Sequence, residues 1–186
     1  MMSLFKKSLI VFSFLFVTFA SQANTDLASL KARYFDAARE GNQAMLEAFY
    51  DAGLDANVAD EKGYTALILA AYHGHTDTVD YLINTAKANP CQEDNRGNTA
   101  LMGAIFKGHV SVANQLVFAD CNIDEENEQG QTALMFASLF DRQEIINTLI
   151  DKGADTHHKD KAGNTVADIA LSQGNYALAK ALKDGE

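Results

Sequence analysis

The chain has 186 residues, of which 25 are aspartate or glutamate and 15 are lysine or arginine, so its formal net charge is −10. A chain of this length suits one domain. Because an acidic surface repels phosphate backbones and anionic headgroups, this charge disfavours proteins that bind nucleic acid or a membrane surface.

The first 23 residues have the anatomy of a secretory signal peptide. Two lysines form a positive start, residues 9–19 are an eleven-residue run of apolar, serine and threonine residues, and Ser21-Gln22-Ala23 offers small residues for cleavage after Ala23. The run is shorter than the roughly 17–25 residues of a membrane-spanning helix. We therefore predict cleavage rather than a retained anchor, no membrane insertion afterwards, and a periplasmic product, with secretion as the alternative.

Residues 26–53 indicate a first, degenerate helical unit within an N-terminal cap over 26–62. The run Ala37-Ala38-Arg39-Glu40-Gly41-Asn42 aligns with residues 70–75 of the next unit. Three apolar residues occupy the buried positions of a second helix in this unit: Leu46, Phe49 and Tyr50.

Four further units each begin with a glycine, any residue, a threonine and a small apolar residue. The glycines are Gly63, Gly97, Gly130 and Gly163, at intervals of 34, 33 and 33 residues. A fixed period of this length predicts small units stacked into an all-α solenoid. The predicted divisions are repeats 63–96, 97–129 and 130–162 and a C-terminal cap, 163–186.

Each unit reads as helix, turn and helix. Thr65 is predicted to cap the first helix, and Gly74 to reverse the chain in a left-handed conformation before a second helix from about Thr76. Asp141 replaces that glycine in the third repeat, and aspartate tolerates positive φ. Lys183 stands where earlier repeats have an apolar residue, as the outer face of a cap requires.

This pattern resembles the ankyrin repeat, whose signature is Gly-x-Thr-Pro-Leu-His-x-Ala-Ala, then Gly-His, then Gly-Ala-Asp-Val-Asn. Residues 26–186 match it nearly end to end, with Gly74-His75, Gly108-His109 and Gly153-Ala154-Asp155 among the matches. The resemblance implies paired helices with projecting β-hairpin finger loops and a concave groove between helices and fingers. The family's proline and histidine are replaced in every repeat (Ala66 and Ile68 in the first), so its Thr–His hydrogen bonds are missing.

The two cysteines leave two alternatives open. An oxidising compartment favours a disulfide between Cys91 and Cys121. However, these residues occupy different positions in neighbouring repeats, which stack about 10 Å apart like other packed helices, whereas a disulfide needs Cα atoms about 4.4–6.8 Å apart. A small buried thiol at Cys121 is the other interpretation.

No catalytic or metal site is expected. The resemblance gives His75 and His109 a structural role at the start of the second helix. The adjacent His157 and His158 point in opposite directions in an extended finger, whereas a metal needs converging ligands. We therefore predict no enzyme activity and no cofactor.

The positions with which ankyrin proteins contact partners are the finger tips and the exposed end of each first helix. Aromatic residues occupy the helix ends, and contiguous exposed aromatics often mark an interface; the alternative is that these rings pack between repeats. The predicted partner-binding residues are Asp60, Glu61, Tyr64, Tyr72, His73, Arg96, Phe106, Lys107, Glu126, Glu128, Leu139 and Phe140.

The sequence thus predicts a monomeric, exported module that binds another protein through its groove. Acidic fingers would steer a partner with a basic surface, although acidity also serves solubility. Two roles stay open, an inhibitor or immunity protein and an accessory factor for envelope or oxidative-stress defence enzymes. A metal- or small-molecule-handling protein using His157, His158 and Cys91 is the alternative from another class.

Overall fold

The computed structural model describes residues 28–184, so the predicted signal peptide lies outside the described residues. The chain divides into two compact units, Met1–Tyr34 and Phe35–Glu186. Residues 28–34, the described part of the first unit, are helical. No helix in the described part of the chain is long and apolar enough to cross a bilayer.

The described residues are built from helices, which confirms the all-α solenoid. Residues 28–40 form α1. The helices after it are α2 Gln43–Asp51, α3 Ala66–His73, α4 Thr76–Asn84, α5 Ala100–Lys107, α6 Val110–Val117, α7 Ala133–Leu139, α8 Gln143–Asp151, α9 Val166–Ser172 and α10 Tyr176–Asp184.

The signals that begin and end these helices act locally. The Thr65 hydroxyl accepts a hydrogen bond from the Ile68 N–H, as the predicted cap requires, and Gly74 ends the helix at φ 81°. Asp141 adopts φ 52°, which confirms that aspartate replaces the turn glycine. Asp168 takes the family's histidine position and closes a capping box with Thr165 in α9.

The first helices α3, α5, α7 and α9 stack in sequence, and the second helices pack behind them. The first helices bury one face against their neighbours, and in α3 Ala66 to Ala71 are all buried. Leu82, Leu116 and Leu149 fill the same position of successive second helices. Lys183 of α10 is exposed, as expected for an outer face.

A side chain at the start of each second helix joins its repeat to the one before. The Nε2 of His75 lies 2.7 Å from the Arg39 carbonyl oxygen, and that of His109 lies 3.1 Å from the Tyr72 carbonyl oxygen. Arg142 bonds carbonyl oxygens at the same place in the third repeat. The histidines are structural but do not cap their own helices, because they bond carbonyls left free at the preceding helix end.

A second junction between repeats lies at the base of the fingers. Asn57 Oδ1 accepts a hydrogen bond of 2.7 Å from the Asn89 N–H of the next repeat. Asp124 Oδ1 accepts one of 2.9 Å from the Asp155 N–H in the same way. These contacts are staggered in repeat position. The side chain of one repeat bonds a backbone N–H that lies earlier in the next repeat than the position equivalent to its own.

The middle junction carries a disulfide in place of that hydrogen bond. Cys91 holds the position of Asn57 and Asp124, and it is bonded to Cys121 with the two Cα atoms 5.4 Å apart. The expectation of a buried free thiol is therefore wrong. The spacing of about 10 Å applies to equivalent positions of packed helices, whereas the stagger brings these two non-equivalent positions together.

The finger loops are tighter than the expected β-hairpins. Within the described residues the fingers contain one isolated β-bridge, Ala59 with Thr65, rather than strands. Each finger is closed by a backbone hydrogen bond across a turn, such as Asp60 N–H to the Tyr64 carbonyl at 3.0 Å.

Candidate functional site: the groove between fingers and first helices

A groove of about 820 Å³ lies between the fingers and the first helices. Its floor is formed by apolar side chains of α3, α5 and α7, including Ile68, Met102 and Phe136. Seven predicted contact residues line it: Asp60, Glu61, Tyr64, Tyr72, His73, Arg96 and Phe106. The other five, Lys107, Glu126, Glu128, Leu139 and Phe140, do not line this groove.

Three aromatic rings form a row at the ends of the first helices, and two of them, Tyr72 and Phe106, line the groove. The Tyr72 and Phe106 rings stack with centroids 6.1 Å apart and planes 17° apart. Phe106 meets Phe140 edge to face at 5.0 Å. Tyr72 is 36% exposed and Phe106 43% exposed. The rings thus pack on one another between repeats, as one interpretation of the sequence expects, and still present surface to solvent.

Phe140 reaches this row although its repeat position differs. Leu139, not Phe140, is the equivalent of Tyr72 and Phe106. Helix α7 ends at Leu139, and Phe140 adopts a non-helical φ of −103° and ψ of 12°. This early end carries the Phe140 ring to Phe106 and to Phe136, whose centroid is 6.1 Å away. Leu139 and Phe140 are both half-buried.

Cationic and imidazole side chains border the aromatic row. The Lys107 Nζ lies over the Tyr72 ring, 5.2 Å from its centroid. Burial lowers the pKa of His73, and the neighbouring His75, Arg39 and Lys107 lower it further. His73 is therefore a neutral ring at neutral pH, and the positive charge at this helix end belongs to Lys107.

The acidic residue at the start of each finger is used within the finger itself. Asp60 Oδ1 accepts hydrogen bonds from the backbone N–H groups of Lys62 at 2.8 Å and Tyr64 at 3.0 Å. Its Oδ2 lies 3.7 Å from Arg39. Asp94 bonds its own finger in the same way. Asp60 thus holds the finger turn, and its carboxylate is already engaged.

The other predicted acidic residues lie toward the finger tips. Glu61 and Glu128 are exposed there. Glu126 has its Oε1 3.5 Å from Nε2 of His158. The described residues contain no group of three or more His, Cys, Asp or Glu side chains placed to hold a metal.

Sequence reasoning missed Gly103, which leaves a gap in the groove floor. The equivalent residues of the neighbouring repeats are Leu69 and Phe136, and all three line the groove. A Cβ built on Gly103 would meet only the Tyr72 side chain, at 3.8 Å. The absence of a side chain at this position is visible when the repeats are aligned in sequence. The predicted contact residues are instead based on the aromatic residues at the helix ends.

The groove combines exposed aromatic rings, hydrogen-bond donors and an apolar floor. This combination is typical of a binding surface. A helical-repeat solenoid with such a groove defines a class of scaffold proteins that bind through their concave face. A family model of ankyrin repeats in three copies matches residues 35–127 and again 110–186. The chain therefore belongs to the ankyrin repeat family, whose repeats generally bind other proteins and whose members are typically non-catalytic scaffolds.

Two curated relatives are similar over short segments. A putative ankyrin repeat protein of Pseudomonas aeruginosa is 51% identical over 45 residues, which is 24% of this chain and 26% of that protein. The human espin-like protein is 40% identical over 55 residues, 30% of this chain and 6% of that protein. The matched segments thus span about a quarter or less of each relative.

Proposed function

We propose that this protein is an exported, non-catalytic ankyrin-repeat module that binds another protein through the groove between its fingers and first helices. The observation that carries the proposal is the aromatic row of Tyr72, Phe106 and Phe140. Aromatic residues dominate binding hot spots because they bury a large area and lose little conformational entropy. Rings that are already stacked in the free protein lose even less conformational entropy when a partner binds.

The charge of the chain supports a partner with a basic surface. The net charge is −10, and Glu61 and Glu128 are exposed on the fingers beside the groove. Such a field accelerates encounter with a positively charged protein and weakens as salt is added. Asp60 contributes to this field although its oxygens are engaged.

Export to the periplasm is part of the proposal. It is supported by the signal-peptide pattern of residues 1–23 and by the Cys91–Cys121 disulfide, because disulfides persist in oxidising compartments. Fractionation of cells with N-terminal sequencing of the recovered protein tests it. We expect a periplasmic chain that begins at Asn24; a cytoplasmic chain that keeps residues 1–23 would exclude export.

Groove binding is tested with a double substitution, Phe106→Ala with Phe140→Ala, against the partner captured from periplasmic extract. Loss of the Phe106 anchor, together with the Phe140 ring that packs against it, removes about 2 kcal/mol or more, which is roughly a thirtyfold or greater loss of affinity. The matched control is Phe118→Ala, since Phe118 is 65% exposed and does not line the groove. Unchanged affinity in the folded double variant removes the groove from the proposal.

Two biological roles are consistent with such a module, namely an inhibitor or immunity protein and an accessory factor for envelope or oxidative-stress defence enzymes. They differ in what the captured partner does when bound. Assay of the partner with and without this protein separates them, because an inhibitor lowers the partner's activity and an accessory factor maintains or raises it.

A further inference from the structure

The gap at Gly103 is a feature of the groove that the backbone conformation does not require. Gly103 lies inside α5, where glycine is less favourable than alanine. A Cβ at this position would make only ordinary contact with Tyr72, at 3.8 Å. Neither backbone geometry nor a clash with a Cβ therefore requires a glycine here, whereas an occupant that needs the space would.

The helix side of the groove around Gly103 is apolar. Leu69 and Phe136 hold the equivalent positions of the neighbouring repeats, and Met102, Tyr72 and Phe106 line the same groove. A cavity with this lining accepts a bulky apolar or aromatic side chain, because burial of such a group against apolar walls is favourable.

The finger wall opposite this floor presents hydrogen-bond donors. The residue just before the repeat glycine is Lys62, Arg96 and Gln129 in successive repeats; Gln129 and Arg96 line the groove together with Lys62. The backbone aligns these positions, since the carbonyl oxygens of Lys62 and Arg96 each accept a hydrogen bond of 2.9 Å from the next finger.

Two of the three carboxylates on this wall, those of Asp60 and Asp94, are already engaged, and the third, that of Glu61, is exposed. The Asp60 carboxylate accepts hydrogen bonds within its own finger and lies near Arg39. The Asp94 oxygens bond Arg96 N–H, Asn98 N–H and the Asn98 side chain. The groove is therefore balanced in charge, unlike the chain as a whole, because three cations, Arg39, Lys62 and Arg96, line it together with three carboxylates, Asp60, Glu61 and Asp94. Backbone donors hold the Asp60 and Asp94 carboxylates in their finger turns, which leaves the Lys62 and Arg96 side chains to pair with a ligand.

We propose that the Gly103 cavity binds a bulky apolar side chain of the partner, and that a carboxylate beside that side chain pairs with Lys62 and Arg96. The occupant is thus a loop or chain end of a partner protein that carries an aromatic or large aliphatic residue next to aspartate or glutamate. The inference rests on the proposed groove binding and specifies its anchor. A partner of basic overall charge satisfies it if it presents such a segment.

A peptide-display library of random seven-residue peptides, selected on the purified protein made from the full-length reading frame, tests the chemistry. We expect the recovered peptides to carry a large apolar residue within a few positions of an acidic one. Binding of a synthetic recovered peptide should weaken as salt is added, because the ion pairs are partly solvent-exposed. Recovery of peptides with basic flanks, or of no specific binders, overturns the proposal.

Substitution at the gap tests the site. Gly103→Leu copies the residue of the preceding repeat, so the helix should form and the cavity should be filled. We expect at least a tenfold loss of affinity for the recovered peptide, about the effect of losing one buried anchor. Gly103→Ala is the matched control, since one methyl group fits beside Tyr72 and should leave most of the affinity and a raised melting temperature.

Charge reversal, Lys62→Glu with Arg96→Glu, should also lower that affinity about tenfold or more and should reverse its salt dependence, because salt then screens a repulsion. Unchanged affinity in a folded Gly103→Leu variant overturns the cavity. If that variant keeps the captured natural partner while the Phe106→Ala, Phe140→Ala variant loses it, only this inference fails. If both variants keep the partner, the proposed function fails as well.

Discussion

Removal of the Cys91–Cys121 disulfide is the most direct quantitative test of the fold. The two cysteines are 30 residues apart in sequence. In the chain-entropy model, a bridge that closes a loop of that length disfavours the unfolded state by about 3.6 kcal/mol at 25 °C. We therefore expect the double variant Cys91→Ala with Cys121→Ala to lose about 3–4 kcal/mol of unfolding free energy.

The neighbouring junction supplies an internal comparison. Asn57 makes the equivalent contact with a single hydrogen bond of 2.7 Å to the Asn89 N–H. A neutral hydrogen bond contributes about 0.5–1.5 kcal/mol net, so Asn57→Ala should destabilise the protein far less than loss of the disulfide. Substitutions at the same position of two junctions should thus lower the free energy of unfolding by different amounts, because one link is covalent and the other is a hydrogen bond.

Urea unfolding followed by far-ultraviolet circular dichroism measures both effects. For an m-value of about 2 kcal/mol per molar urea, loss of the disulfide should lower the unfolding midpoint by about 1.5–2 M. A thiol reductant should shift the wild-type protein by a similar amount and leave the double variant unchanged. Each sample needs a check that one cooperative transition describes it, because repeats can unfold separately.

Two outcomes would refute this reasoning. One is a pair of reactive thiols in the denatured, unreduced protein, since a disulfide leaves neither cysteine free. The other is a double variant whose stability lies within about 1 kcal/mol of Asn57→Ala, because a covalent link should exceed one hydrogen bond by more than that.

Three further predictions concern the backbone and one carboxylate. Lys87 has φ 59°, so Lys87→Gly should raise the unfolding free energy by about 0.5–1 kcal/mol; a loss in urea unfolding contradicts this. Gly74→Ala should cost at least about 1 kcal/mol more than Gly153→Ala, because a Cβ at Gly74 would lie 2.6 Å from an imidazole nitrogen whereas that at Gly153 meets nothing within 4 Å. Hydrogen bonds from the Thr165 backbone and hydroxyl lower the pKa of Asp168. Its stabilising effect is thus present above about pH 3.9 and lost as the pH falls through the folded-state pKa. Carboxyl NMR titration should show a lowered pKa that rises in Thr165→Ala; an unchanged value refutes the assignment.

Most of the helical framework could be predicted from sequence because its signals act within one repeat. The Thr65 cap depends on residues one turn away, and the reversal at Gly74 depends on its own φ. Asp141 adopts positive φ for the same local reason. Because these signals repeat at a fixed interval, the order of the helices could be predicted without knowledge of any long-range contact.

The contacts between repeats could not be derived in that way. The position of His75 indicates a helix start, but not that its ring bonds the Arg39 carbonyl oxygen of the preceding repeat. For Cys91 and Cys121, the sequence indicates only the distance between equivalent positions of neighbouring repeats. The disulfide instead joins two positions that are staggered along the chain. Local patterns specify an element, whereas the direction of a side chain toward its neighbour depends on how two elements stack.

The candidate site shows the same division. The position of Tyr72 and Phe106 followed from overlaying the repeats, because an exposed ring on a helix end is visible in sequence. The electrostatics of the groove did not follow, since a count of charges treats every carboxylate as free. The structure engages the Asp60 and Asp94 carboxylates in finger turns.

The difference between net charge and groove charge has a consequence for specificity. An acidic chain attracts basic proteins over distances of about a Debye length, roughly 8 Å at physiological salt. Discrimination among the proteins so attracted depends on contacts made inside the groove, which Lys62 and Arg96 line together with an apolar floor. A partner that is basic throughout would approach quickly but would place cations against Lys62 and Arg96, which is a repulsive element against wrong partners. Steering and recognition therefore select for different features, and a partner that satisfies both carries a basic surface around an apolar and acidic anchor.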